Sequence, residues 1–204
     1  MSTTAAPYGL RPVNLIGGQP YAGSTRLIKI ASGATAMYFG QPVSVLSTGT
    51  IGPATVTTTA PATGVVGVFV GCTYTDPNLN IPVYKQYWPS VAVSDAYGYV
   101  VDDPDIVMQV QANGAVAQTD LGNNIALVAF SGSTSTGNST TAASVTSGTP
   151  DVTAALPLRI VGFVESTTST AGDAYTDILV KWNMPNISGS TFLGGHSYMN
   201  PTGL

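Results

Sequence analysis

The sequence predicts an all-β protein: a sandwich or small barrel with an extended N-terminal arm and an irregular C-terminal tail. Short runs rich in β-branched and aromatic residues recur along the chain, each bounded by Gly, Pro, Asn or Asp. Several of them alternate apolar with polar residues at a period of two, the pattern of a strand with one buried face. Only 8% of the 204 residues are charged, against about 25% in an ordinary globular chain. The Glu- and Lys-rich solvated faces of surface helices are therefore missing.

In chain order, residues 1–22 form the arm. Pro7 and Pro12 fix φ and remove amide donors, so the stretch neither continues as a helix nor suits a central strand. Its apolar side chains gain nothing in water. The arm is expected to lie along another surface, its own barrel or a neighbouring subunit. The body, 23–183, holds strand-like runs at Thr25 to Ile30, Pro42 to Leu46, Val65 to Tyr74, Pro82 to Trp88, Tyr97 to Val101, Ile106 to Gln111, Ile125 to Phe130, Arg159 to Val164 and Asp177 to Asn183. Alternation is clean where Arg26, Ile28 and Ile30 oppose Leu27 and Lys29, and where Asp177, Leu179 and Lys181 oppose Ile178, Val180 and Trp182. VVGVFVG has no polar face and is expected to be central.

Helix signals are confined to a turn around Thr119 to Asn123, with Thr119 as cap and Gly122 as stop. Thr48 to Thr63 reads as a strand-and-turn edge. Ser131 to Pro150 is too long for an ordinary hairpin and is expected to be an exposed excursion. The tail, 184–204, has Pro and Gly punctuation around Phe192, Leu193, Tyr198 and Met199 and reads as a second arm.

The side-chain inventory excludes most chemistry. Six scattered Lys and Arg against ten acids leave a net charge of -4 and no basic stripe, so nucleic acid is not an expected partner. The N-terminus lacks a basic n-region and apolar h-region, and no stretch approaches the roughly 18 apolar residues of a membrane span. The protein is expected to stay soluble inside a cell until it assembles. Cys72, the one cysteine, sits in an apolar run and reads as a buried, inert thiol.

His196 is the one histidine, and no GxSxG elbow accompanies it, so neither a Ser/His/Asp triad nor a histidine-based zinc site is expected. GVVGVFVG lacks the Lys-Ser/Thr of a P-loop. Asp102, Asp103 and Asp105 in VDDPDIV are hard-cation ligands by type, but Pro104 between them favours a β-turn. A paired-carboxylate glycosidase would need a second acid at a set separation. Asn138 and Asn186 match a glycosylation sequon that is frequent by chance. No cofactor, metal or enzymatic activity is expected. The aromatics Tyr74, Tyr84, Tyr87, Trp88, Tyr97 and Tyr99 fit core packing first, and a sugar-binding platform or subunit interface second.

An ordered series of segments carries a resemblance. APYGLRPV followed by GG, then STRLIKIASG, GVFVGCTYTDP with YWP downstream, VDDPDIVMQVQANGAVAQTDLGNN, LRIVGFVE and GDAYTDILVKWN resemble small virion head proteins of tailed phages. These are the structural, cement or decoration proteins of HK97-type capsids, and the match runs in register from about Ala6 to Asn183. It implies a β-barrel or β-tulip-like body and a homotrimer seated at three-fold and quasi-three-fold positions between capsomers, on the outside of a phage head assembled in the host cytoplasm. It also implies a terminal arm on the major capsid protein. The Ser/Thr-rich stretch and the tail fit it least.

The expected function is that of a capsid cement protein bound through Tyr8, Leu10, Arg11, Val13 and Leu15. Tyr8 and Leu10 would fill pockets of the partner, and Arg11 would bridge to a capsid carboxylate. The alternative is a tail-associated or surface β-domain that binds host glycan through the Tyr and Trp cluster.

Overall fold

Turn residues cut the chain into short strands that pair into antiparallel sheets. The computed structural model describes residues 3–54, 65–146, 149–183, 186–188, 191–193 and 196. In order, β1 is Arg11–Leu15, β2 Arg26–Lys29, β3 Gln41–Val45, β4 Ile51–Pro53, β5 Gly67–Thr75, β6 Pro82–Lys85 and β7 Tyr97–Val101. They are followed by β8 Ile106–Gln111, β9 Asn124–Val128, β10 Ala142–Ser144, β11 Leu158–Phe163, β12 Asp177–Trp182, β13 Asn186–Ser188 and β14 Thr191–Leu193.

Sheet one has the order β1-β8-β12-β11-β9-β10, and sheet two β2-β7-β5-β3-β4 with β6 on the remaining length of β5. The all-β expectation holds, and every predicted run contains a strand. The helical signal shrinks to a 3-10 turn at Gln118–Asp120. It is capped by the Asp120 carboxylate, which accepts from the Ala117 N–H at 2.9 Å, and not by Thr119.

Two cores flank sheet two. Between the sheets, Ile106, Met108, Val110, Ile178, Val180 and Trp182 of sheet one meet Val68 and Val101 of sheet two. On the opposite face, Ile30, Met37, Val43, Ile51, Phe69 and Trp88 form the second core. Neighbours along a strand point to opposite faces, so Val68 and Phe69 enter different cores, as do Val101 and Val100. The unbroken apolar run of β5 is thereby explained: it is buried on both sides. Ile30 and Ile51 form one parallel bridge at which the outer strands of sheet two approach each other, curling the sheet around its core.

The alternation of β12 is realised, with Ile178, Val180 and Trp182 buried. Ser131 to Pro150, expected to be exposed, is largely packed. Ala142 to Ser144 add a strand to β9, and Gly137, Ser139 and Thr141 are buried. The hydroxyls make this possible by bonding within the segment. Ser139 donates to the Ser131 carbonyl at 3.1 Å and pairs with Thr141 at 2.6 Å, while Thr149 donates to the Ser144 carbonyl at 2.5 Å. A buried hydroxyl with a partner costs little.

The tail is not wholly irregular, since β13 and β14 pair as a hairpin. Tyr198 and Met199, like most of Thr48 to Thr63, lie outside the described residues.

Residues 4–22 do not stand apart as an arm. Beyond Gly9 they form the edge of sheet one, where β1 pairs with β8 and Leu15 meets Ile106. Pro12 is tolerated because it sits on an edge strand at a bulge, where a missing N–H does least harm. The entry to β1 is set by two glycines. Gly9 and Gly40 both have left-handed φ, +79° and +81°, and a Cβ on Gly40 would lie 2.9 Å from the Leu10 nitrogen. Leu10 N–H donates to the Gly40 carbonyl at 2.8 Å across this contact. Gly40→Ala therefore combines backbone strain with a main-chain clash. It should lower unfolding free energy by about 2 kcal/mol or more in a urea titration.

Candidate functional site

The residues expected to bind a partner divide between the protein's own body and its surface. Leu10 is fully buried and joins the inter-sheet core. This corrects its assignment: it fills a pocket of its own chain. Tyr8 is half-buried, and its hydroxyl donates to Asp177 Oδ1 at 2.8 Å. Burial, then the Asp177 carboxylate, pushes its pKa upward. Upstream, Gln111 clamps the chain, accepting from the Ala6 N–H at 2.7 Å and donating to the Thr4 carbonyl at 3.5 Å. Leu15 is half-buried against the core.

Arg11 and Val13 remain on the outside. The Arg11 guanidinium lies 4.3 Å from the Tyr8 ring centroid, a cation–π contact. Val13 is 36% exposed, and Ile16, just past β1, is 51% exposed. The chain then doubles back, with Leu15 N–H on the Gln19 carbonyl at 2.8 Å and Tyr21 N–H on the Val13 carbonyl at 3.2 Å. The result is a stiff ridge along the edge of sheet one, presenting Arg11, Val13 and Ile16.

The acidic cluster is a turn. Asp103 Oδ1 accepts from the Asp105 N–H at 2.8 Å. Asp102 and Asp105 are drawn to different cations, Arg26 at 2.8 Å and Lys181 at 2.7 Å. Among the described residues no group of metal-ligating side chains converges. No helix among them is long and apolar enough to cross a membrane.

The aromatic cluster also divides. Trp88 is fully buried, donating from Nε1 to the Ala34 carbonyl at 2.9 Å, and Tyr74 packs edge-on against it at 5.4 Å. Tyr87 stacks on Tyr38. Cys72 is buried, its thiol on the Tyr87 carbonyl at 3.4 Å, and burial pushes its pKa up to about 11. Tyr84, Tyr97 and Tyr99 instead share one face of sheet two, the face from which Val101 enters the inter-sheet core. Lys29 pairs with Tyr97, Tyr97 with Thr73, and Thr73 with Tyr84, while Leu27 pairs with Tyr99. Residues opposite one another in an antiparallel ladder share a face. Tyr84 is 74% exposed and Leu27 54%.

Beside this face lie two concavities, of about 540 Å³ and 550 Å³, that share Phe39, Val70 and Gln86 in their walls. The first adds Tyr84, Lys85 and Tyr99, and the second Arg11, Tyr21 and Asn138. Sequence reasoning named several of these aromatics but missed Phe39, Tyr21 and Gln86, and met Asn138 only as a sequon match. They come together only when β1 and sheet two are in place.

His196, in the tail, is buried. It bridges to Val65, and its ring lies 6.3 Å from that of Trp182. Burial pushes its pKa down to about 4, ahead of the opposing influences of the Val66 backbone and Asp103 and the reinforcing charge of Arg26.

The class these features define is a two-sheet all-β chain with an exposed edge ridge and an aromatic groove. Comparisons with protein-family models, curated proteins and solved structures find no match to this chain.

Leu10→Ala should cost about 3 kcal/mol in chemical unfolding, as a large-to-small change in a closed core does, whereas Val13→Ala should cost under about 1 kcal/mol. For His196 the unfolded chain takes a proton near pH 6.5 and the folded chain near pH 4. Between these values the unfolded state binds more protons, so stability is complete above pH 6.5 and falls as the pH drops toward 4. The full loss is about 3 kcal/mol. Unfolding curves from pH 7 to 5 should show this slope, and His196→Ala should flatten it.

Proposed function

We propose that this chain is a structural cement or decoration protein of an HK97-type phage head, bridging capsomers of the major capsid protein from the outside as a homotrimer. One observation carries the reading: the ridge of Arg11, Val13 and Ile16 is held exposed on an edge strand whose neighbours Tyr8 and Leu10 are locked into the body. Apolar groups kept in water on a rigid frame lose little entropy when a partner covers them. The resemblance of the segments from about Ala6 to Asn183 to virion head proteins supplies the partner. A charge-poor surface also suits a subunit held by apolar and main-chain contacts.

Cement works by linkage. Anything that binds the assembled shell and not its separated subunits stabilises the shell, and lattice symmetry repeats that contribution at every equivalent site. Within this mechanism Leu10 and Tyr8 are anchors of the ridge, Val13 and Ile16 are its contact surface, and Arg11 faces a carboxylate of the partner.

Deleting the N-terminal residues would unfold the edge of sheet one, so point changes are the cleaner test. Val13→Asp and Ile16→Asp should each reduce occupancy on purified empty heads by about tenfold or more, while thermal unfolding stays near that of the parent protein. Unchanged occupancy for both variants would overturn the assignment of the ridge.

A further inference from the structure

We infer that the C-terminal segment is a strap that closes over one end of the inter-sheet core and is released when His196 takes a proton, uncovering Trp182 and Val65. It involves no residue of the ridge and does not rest on the capsid reading. His196 is fully buried at that end of the core. It forms a parallel bridge with Val65, just before β5, and its ring lies 6.3 Å from that of Trp182, the last residue of β12. Val65 and Trp182 both belong to the inter-sheet core.

The strap can move as a unit. Among the described residues, β13 and β14 pair only with each other, as a two-stranded sheet separate from both six-stranded sheets. A lone two-stranded hairpin is marginal in water, so this one depends on docking, and the bridge at His196 is where the described tail meets the backbone of the body. Residues 184–204 contain no Asp, Glu, Lys or Arg. His196 is therefore the one side chain of the tail whose charge changes between pH 7 and pH 5.

The groups around the imidazole decide which way a proton pushes. Burial disfavours the charged ring most, and Arg26 of β2 adds to this by repulsion. Asp103, in the turn between β7 and β8, and the backbones of Val66 and Asp102 favour the proton but are outweighed. The other nearby charges are engaged elsewhere: the Asp102 carboxylate meets Arg26 at 2.8 Å, and Lys181, beside Trp182, meets Asp105 at 2.7 Å. Asp103 Oδ1 itself accepts from the Asp105 N–H at 2.8 Å. Val65, Val66 and Trp182 bring no charge. A protonated ring regains water by leaving with the strap. This costs less than opening the body, because the hairpin supplies no strand to either large sheet.

Hydrogen exchange of the full-length protein at pH 7 and pH 5, corrected for the intrinsic pH dependence of exchange, reads the strap directly. Peptides spanning β13 and β14 should lose protection by about 20-fold at pH 5, the change that a fall of the His196 pKa from 6.5 to about 4 on docking requires. Peptides of β8 and β12 should keep theirs. Over the same range acrylamide should gain access to Trp182 and not to Trp88, which is buried in the second core. His196→Gln, neutral at both pH values, should abolish the pH dependence. Equal protection of β13 and β14 at pH 7 and pH 5 in the parent protein would overturn the proposal, as would a loss shared equally by β8. Acid release that persists in His196→Gln would overturn it too. If the glutamine variant docks poorly at both values, the NMR signals of the His196 ring in the parent protein decide: they should titrate in step with the loss of protection, and release without their titration would overturn the assignment. Head occupancy of the ridge variants is a separate measurement, so failure of the strap leaves the capsid reading standing, and the reverse also holds.

Discussion

The contact on which the rest of the molecule depends is the crossing of Gly9 over Gly40. Two backbones meet there at a separation that a methyl group on either would prevent. The closeness lets Leu10 bond to Gly40 and drop its side chain into the core between the sheets. The next residue, Gln41, is buried as well. Its carboxamide accepts from the Tyr38 N–H at 3.0 Å and donates to the Phe130 carbonyl at 2.9 Å. A few consecutive residues thus tie the start of sheet one, the first strand of the β3–β4 pair and the exit from β9. The exposed ridge inherits its rigidity from this knot.

Strands with strong local signals were legible in the sequence. Tyr97–Val101 and Ile106–Gln111 match their predicted bounds, and the lack of a polar face in β5 correctly marked a strand between two cores. What was not legible depended on partners distant in sequence. β1 contains Pro12 and reads as a non-strand; only the bulge and the edge position make it acceptable. β10 lies in a stretch whose polarity signals exposure, yet its neighbours bury their hydroxyls by bonding one another, and Ala142 and Ala143 are small enough to pack closely. Composition reports how polar a segment is, not whether its polar groups have found partners.

The site shows the same division. Apolarity alone could not separate Leu10, which seals its own core, from Val13, which faces water, because the difference is set by the Gly9–Gly40 crossing that turns Leu10 inward and by the bulge at Val13. A similar limit applied to the aromatics: Trp88 and Tyr84 lie near each other in sequence, but one is fully buried in a core and the other stands largely exposed on β6. Two surfaces with different chemistry result. The ridge carries Arg11, Val13 and Ile16, whereas the concavities are lined by aromatic rings and the Gln86 and Asn138 amides.

Sheet two is drawn from one continuous stretch of chain, β2 through β7, whereas sheet one joins β1 to β8 and β12. On a ribosome the two sheets therefore have different earliest moments of completion. Sheet two and its core can close once Val101 has emerged. The segment before it has to wait with Leu10 uncovered until β8 follows, and Tyr8 waits longer still for Asp177. An apolar stretch held open until β8 is made invites pairing with a neighbouring nascent chain. Pro7 and Pro12, which make the segment a poor strand template, protect it during that interval. The residues that obscure β1 in the sequence are thus the ones that keep it available until its partner strand exists.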